Sequence, residues 1–252
     1  MMNEANQISK QTILFGYIGE DAGVSRFSAV INKIFKQNSV DAMMIPMNIR
    51  EDDLFFTITN MKKSHVNGAV ISSEYVSDVV DMLDDASGIV KRSGMCDIVY
   101  KEGESLRGDI FGVRVLNEHL KDMMVSKIAL IGTNHYAKAF SFLACGFEVS
   151  YFNDNLEELM EFSNSVDLHN PDLNRISSDM DVDLSDFDCV LDFSDLQDLS
   201  MITKLPSVLL DMKHKKQFSP LKVVANKLDA NYTSYDDIID KLASKAYREI
   251  VK

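Results

Sequence analysis

Nowhere in its 252 residues does the chain hold an apolar run near the roughly 20 that a membrane helix needs. Its start, Met1-Met-Asn-Glu-Ala-Asn-Gln7, lacks the charged and apolar regions of a signal peptide. The expectation is a cytoplasmic protein with no membrane partner. Positive charge is scarce: 26 Lys and Arg stand against 39 Asp and Glu, a formal net charge of −13. That balance argues against nucleic acid or an anionic lipid surface as partner, since both need clustered cations to displace counterions. Three cysteines, Cys96, Cys145 and Cys189, form no CxxC pair, and five histidines show no HExxH or other ligand spacing, so no metal site is expected. The run Asp179-Met-Asp-Val-Asp183 opens like a calcium loop. However, Leu184 stands where the turn glycine belongs and Val190 where the bidentate glutamate belongs, so it reads as a solvated loop.

What the chain does have is 46% hydrophobic residues, enough to bury a large core across two domains of ordinary size. Apolar spacing alternates between strand and helix from the outset. Strands are expected at 11–18, 42–47 and 66–71, with helices at 25–35 and 51–63 between them. A helical pattern then covers 73–92, broken near Ser87-Gly88, before an extended 95–100 and a hairpin turn at Gly103-Glu104. A helix over 109–124 leads into a second alternating half: strands at 127–131, 148–152, 189–192 and 208–211, a helix at 156–163 and a terminal helix over 234–251. This is an α/β chain with mostly parallel sheet. The expected division is an N-terminal substrate domain over 1–108, a nucleotide-binding domain over 109–233, and a C-terminal helix, 234–252, packing back toward the N-terminal domain.

The strand Lys127-Ile-Ala-Leu-Ile131 runs into Gly132-Thr-Asn-His-Tyr-Ala137, where a dinucleotide-binding turn would begin. Such a turn needs a first glycine for tightness, a second for approach of the pyrophosphate, and a small third residue for helix packing. Gly132 and Ala137 fit the first and third positions, and Asn134 stands at the second. His135 in the same turn is the one histidine placed near a ligand. About 20 residues on, Asn153-Asp-Asn155 ends the next strand, where ribose is read. Asp154 there is either a ribose ligand or an acid stabilised by the following helix dipole.

Several segments together resemble the shikimate dehydrogenase family from about Phe15 to Tyr247. Phe15-Gly-Tyr-Ile-Gly-Glu-Asp-Ala-Gly-Val-Ser25 keeps the family's Gly-x-Ile-Gly spacing up to a first substrate serine. Asn32 and Phe35 fall on a His-Asn-x-x-Phe pattern, and Asp211-Met-Lys-His-Lys-Lys-Gln-Phe-Ser-Pro-Leu221 matches the length and ends of Asp-x-x-Tyr-x-Pro-x-x-Thr-Pro-Leu. The resemblance implies a substrate domain, a Rossmann-like NAD(P)-binding domain, and a cleft that takes a small molecule, with reduction of 3-dehydroshikimate by NADPH as the family reaction.

Carried over residue by residue, the resemblance assigns substrate contacts to Ser25, Ser72 and Asp97 and acid/base chemistry to Asp109; Tyr75, beside the vacant lysine position, is either a further proton donor or a packing residue on a helix face. The resemblance also shows losses. Phe27 replaces a second substrate serine, Val76 replaces the lysine, Asp97 replaces an asparagine, and Ile238-Ile-Asp-Lys-Leu242 lacks the substrate-binding amide of Met-Leu-x-x-Gln. Valine can neither deliver a proton nor steady an alkoxide. The cofactor set is Gly132, Asn134, His135, Asn153 and Asp154. Since Asp154 stands where the family has an arginine for the 2′-phosphate, NAD is expected ahead of NADP, with binding of neither as the alternative. Two functions follow: an NAD-dependent oxidoreductase acting on a small molecule other than shikimate, or a catalytically silent relative serving as ligand sensor or interaction scaffold. The sequence carries no signal of oligomeric state.

Overall fold

A computed structural model describes residues 11–214 and 217–251. The start of the chain lies outside the described residues, as do Lys215 and Lys216 within the family-like segment Asp211–Leu221. Strand β1 (Ile13–Gly19) is buried from Phe15 onward and pairs in parallel with β2 (Ala42–Asn48) and β3 (Val66–Ile71). A strand covered on both faces needs such a continuous apolar run. Helices α1 (Phe27–Gln37) and α2 (Glu51–Met61) make the crossovers. On α1 the residues Phe27, Ile31 and Phe35 are buried at helical spacing. On α2 the acids Glu51, Asp52 and Asp53 occupy the first turn, where the helix dipole favours them.

The helical pattern over 73–92 does not produce a long helix. Ser73–Tyr75 and Val80–Met82 are single 3₁₀ turns, and the chain then pairs as the short strand β4 (Asp85–Ala86) before helix α3 (Gly88–Ser93). The cause is tertiary. Asp84 N donates to Leu106 O at 2.9 Å, and the Asp84 carboxylate accepts from Leu106 N at 2.8 Å, so the segment is drawn to the sheet edge. Strands β5 (Ile98–Glu102) and β6 (Ser105–Asp109) form the expected hairpin, with Glu102 opposite Ser105 and Gly103 at φ +66°, as a two-residue turn requires. The sheet runs β2-β1-β3-β5-β6-β4, with β5 antiparallel to both neighbours.

Helix α4 (Gly112–Asp122) starts three residues later than the expected 109, because Asp109 ends β6 and turns its carboxylate onto Ile110 N at 2.8 Å. The chain continues through β7 (Lys127–Ile131), α5 (His135–Leu143), β8 (Glu148–Asn153), α6 (Leu156–Ser165) and β9 (Asp172–Arg175). After β10 (Val182–Asp183) come β11 (Cys189–Asp192), β12 (Ile202–Lys204), β13 (Val208–Asp211), α7 (Pro220–Lys227) and β14 (Tyr232–Thr233). The order β9-β8-β7-β11-β13-β14, parallel throughout, is that of a Rossmann sheet, with its reversal point between β7 and β11. Strands β10 and β12 pair separately. The expected terminal helix is preceded by a Ser234–Asp237 capping box and becomes α8 (Ile239–Ile250).

Two contact units result. One holds the described residues through Ser87, with Cys96–Phe111 and the chain from Ile239 on; the other holds Gly88–Met95 and Gly112–Ile238. In the first, α8 lies against α1, with the Phe35 and Tyr247 rings 5.9 Å apart. Among the described residues no helix is long and apolar enough to cross a membrane, and no cluster of three metal-ligating side chains occurs.

Candidate functional site

In the first unit, the site residues gather near the carboxyl ends of β1 and β3. Ser72 follows β3 and donates its backbone N–H to Ile18 O at 2.8 Å. Its hydroxyl is held by the chain itself: Ser72 Oγ donates to Glu74 Oε2 at 2.6 Å, while Glu74 Oε1 accepts from Glu20 N at 2.8 Å. Gly19 makes room for this, since a Cβ there would lie 2.7 Å from Glu74 Oε1. Ser25 caps its own turn, accepting from Phe27 N at 3.2 Å. Tyr75 is buried and donates to Ile49 O at 2.8 Å. Burial pushes its hydroxyl above the ordinary phenol range, and the carboxylates of Glu20, Glu74 and Glu51 add to the shift. Val76, at the position of the family lysine, is buried, with its carbonyl accepting from Cys96 N at 2.7 Å.

Asp97 and Asp109 are brought together by the backbone, Asp97 N lying 3.3 Å from Asp109 O. Their carboxylates bind local donors. Asp97 Oδ1 takes Phe111 N at 2.7 Å, and Asp109 Oδ1 takes Ser87 Oγ at 2.7 Å as well as Ile110 N. Asp109 also borders a cavity of about 540 Å³ with Tyr100, Lys101 and Arg107.

In the second unit, Gly132, Asn134, Asn153 and Asp154 line one cavity of about 310 Å³ at the reversal point of the sheet. Thr133, Glu158 and residues 193–196 complete it. Gly132 has φ +102°, and a Cβ there would sit 2.6 Å from Ser194 N, so the close passage of the segment after β11 demands glycine. Asn134 has an ordinary φ of −70° and serves as N-cap of α5: its Oδ1 accepts from Tyr136 N at 3.0 Å and Ala137 N at 3.2 Å. Thr133 Oγ1 donates to Glu158 Oε1, which brings a carboxylate onto the turn. Asn155, not Asp154, caps α6, and Asp154 stays exposed at the cavity edge. His135 does not line the cavity; its Nδ1 is 3.0 Å from Ser93 O, and a Cβ on Gly94 would meet it at 2.9 Å.

Sequence reading missed a buried acid pair at the ends of β11 and β13, where Asp192 stands opposite Asp211. The signal was there: each closes an otherwise apolar strand, Cys189-Val-Leu-Asp192 and Val208-Leu-Leu-Asp211. Asp211 is well satisfied, accepting from Ser219 Oγ at 2.6 Å, Tyr232 OH at 2.7 Å and Lys213 N at 3.0 Å. Asp192 Oδ1 accepts from Ser194 Oγ at 2.6 Å and Ser194 N at 2.9 Å, whereas its buried Oδ2 has no partner. Burial raises the Asp192 carboxyl to about 6; Ser194 and Lys213 oppose the shift and Asp211 adds to it.

No family model matches the chain. Sequence relatives do exist: the NADP(+) shikimate dehydrogenase of Clostridium perfringens is 32% identical over 111 residues, 43% of this chain and 41% of that one. The corresponding enzyme of Dictyoglomus thermophilum is 26% identical over 152 residues, 58% and 55% of the two. A shikimate dehydrogenase solved in complex with NADP+ superposes with a TM-score of 0.76 at 16% identity, covering 97% of this chain and 91% of that one. The chain is related to the shikimate dehydrogenases and has their fold. It spans about half the length of the curated relatives it matches. The ligand-free 5-ketofructose reductase of a Gluconobacter strain also superposes on this chain, with TM-score 0.70 and 13% identity over 96% of this chain and 99% of that one.

The curated relatives are named for NADP(+). As the turn stands it does not fit a pyrophosphate: two of the first three amides of α5, those of Tyr136 and Ala137, are taken by Asn134 Oδ1. Carboxylates of Asp154, Glu158 and Asp195 line the cavity, and among the described residues no lysine or arginine does.

Proposed function

We propose that this chain is a shikimate dehydrogenase relative that no longer oxidises shikimate with NADP and keeps the fold to bind a small molecule. The observation that carries this reading is the Asn134 carboxamide seated on Tyr136 N and Ala137 N, where a phosphate would have to sit. It is supported by Val76, which has no proton to exchange, and by Glu74, which fills the donors of Ser72 and Glu20 with an internal carboxylate.

A second reading, which requires the Asn134 carboxamide to leave Tyr136 N and Ala137 N to the pyrophosphate, is an NAD-dependent reductase of an uncharged ketone. Its support is Asp154, an exposed acid at the end of β8 where ribose hydroxyls are read and where it would repel a 2′-phosphate. The Gluconobacter relative in fold, a 5-ketofructose reductase by name, bears on the substrate class. Calorimetric titration of the full chain with NAD and NADP separates the readings. Binding of neither supports the first, and binding of NAD with turnover of a neutral ketone supports the second. Tight NADP binding with shikimate oxidation overturns both.

A further inference from the structure

Helix α2 buries Leu54, Ile58 and Met61 and turns its opposite face outward. That outer face reads, at helical spacing, Asp52, Phe55, Phe56, Thr59 and Asn60, with Lys63 in the turn that ends the helix. Phe55 is 64% exposed and Phe56 71%, and water around two adjacent phenyl rings is a cost that burial removes. The polar side chains beside them turn their donors inward: Thr59 Oγ1 donates to Phe55 O at 2.7 Å and Asn60 Nδ2 to Phe56 O at 2.9 Å. A partner covering this face therefore strips few donors of water. Pairing of sheets through the edge strand β2 is closed off. Asn32 takes both backbone groups of Met44, its Oδ1 accepting from Met44 N at 2.7 Å and its Nδ2 donating to Met44 O at 2.9 Å, and Pro46 has no N–H to offer.

The outer face of α2 is complementary to itself. Its positions are related by a two-fold axis passing between Thr57 and Ile58, so two copies laid antiparallel bring Asp52 of each against Lys63 of the other, Phe55 against Asn60 and Phe56 against Thr59. The acidic first turn, Glu51-Asp-Asp53, then meets the basic end of the other helix, and the opposed dipoles add to the attraction. Lys62 already holds Asp84 at 2.6 Å within its own chain, which leaves the intermolecular contact to Lys63. We propose that α2 is the interface of a two-fold homodimer, with the phenyl rings of Phe55 and Phe56 at its centre and two Asp52–Lys63 ion pairs at its rim. The contact runs along about 16 Å of helix, the scale of a reversible dimer and not of an obligate one.

Sedimentation equilibrium of the full chain, from micromolar to millimolar concentration, is expected to show a dimer that dissociates on dilution. Phe56→Ala should weaken it roughly a hundredfold, because one substitution removes two rings from a symmetric interface, and should leave thermal unfolding of the dilute monomer unchanged. Asp52→Lys or Lys63→Asp alone sets like charges against each other at both ends and should weaken the dimer about tenfold. The double exchange, Asp52→Lys with Lys63→Asp, restores the attraction and should return the affinity to within about threefold of the parent. A chain that stays monomeric throughout overturns the proposal, whether or not some other protein covers the face. So does a dimer indifferent to Phe56→Ala, and a double exchange no tighter than the single ones overturns the antiparallel register.

Discussion

Replacing Asp192 by asparagine is expected to favour the folded protein more at neutral pH than in acid. The carboxyl is 1% exposed, has one oxygen without a partner, and faces Asp211 across the strand pair. Moving a carboxyl from the ordinary 3.8 to about 6 corresponds to about 3 kcal/mol of penalty on the ionised form. Because the folded-state value is raised, the folded protein holds the extra proton between the two values. Stability is then fullest below about 4 and falls as pH rises through about 6. A carboxamide at this position would keep the shape and both Ser194 bonds without that charge. Asp192→Asn should therefore gain roughly 2–3 kcal/mol on the parent as pH rises from about 4 to about 7, with a pH-independent loss from its unpartnered Nδ2 setting the level from which that gain starts. Urea unfolding across this range, with amide exchange of β11 and β13 as the local reporter, measures it. A margin that stays constant with pH, or a parent that gains on the variant as pH rises, would refute the account of Asp192.

Gly132→Ala should cost about 2–4 kcal/mol, since both the positive φ and the Ser194 backbone 2.6 Å away oppose a side chain; thermal unfolding reads it. Tyr75→Phe should cost about 1–2 kcal/mol through the unpaired Ile49 carbonyl, while leaving any ligand affinity of the second unit unchanged in calorimetry. Asn134→Gly alone should lose only a few tenths of a kcal/mol of capping. Combined with Glu158→Gln it should create measurable affinity for ADP, because two amides are freed and one carboxylate is removed. An ADP isotherm that remains flat for the double variant speaks against the turn as the barrier.

The alternation of strands and helices was legible because each strand is a short apolar run bounded by polar turns; Val66–Ile71, Cys189–Asp192 and Val208–Asp211 end where that pattern ends. Spacing misled over 73–92, where Val76, Val79, Val80 and Leu83 repeat at helical intervals while Asp84 binds Leu106 and draws the chain to a sheet edge. Helix α7 was overlooked although Ser219 and Pro220 are a start signal, Ser219 Oγ accepting from Lys222 N at 3.0 Å. In the candidate site, the glycine turn and Asn153-Asp154 could be read from position along the chain. Glu158 and Ser194 could not, because they enter the cavity from a helix face and from the neighbouring strand, and no local pattern announces a contact across a sheet. The role of Asn134 as a cap was likewise hidden, since an asparagine before a helix looks the same whether its oxygen serves the helix or leaves it open to an anion.

Helix α8 closes over α1, burying Ile239, Leu242, Ala243 and Ala246, although some 200 residues separate the two in the sequence. During synthesis α1 thus waits with an uncovered flank until Ile239–Ile250 has cleared the ribosome, whereas the Rossmann sheet has all its strands once Thr233 has emerged. The unit that holds the Rossmann sheet is the one able to finish first, and a nonsense codon within α8 would strike the unit that holds α1.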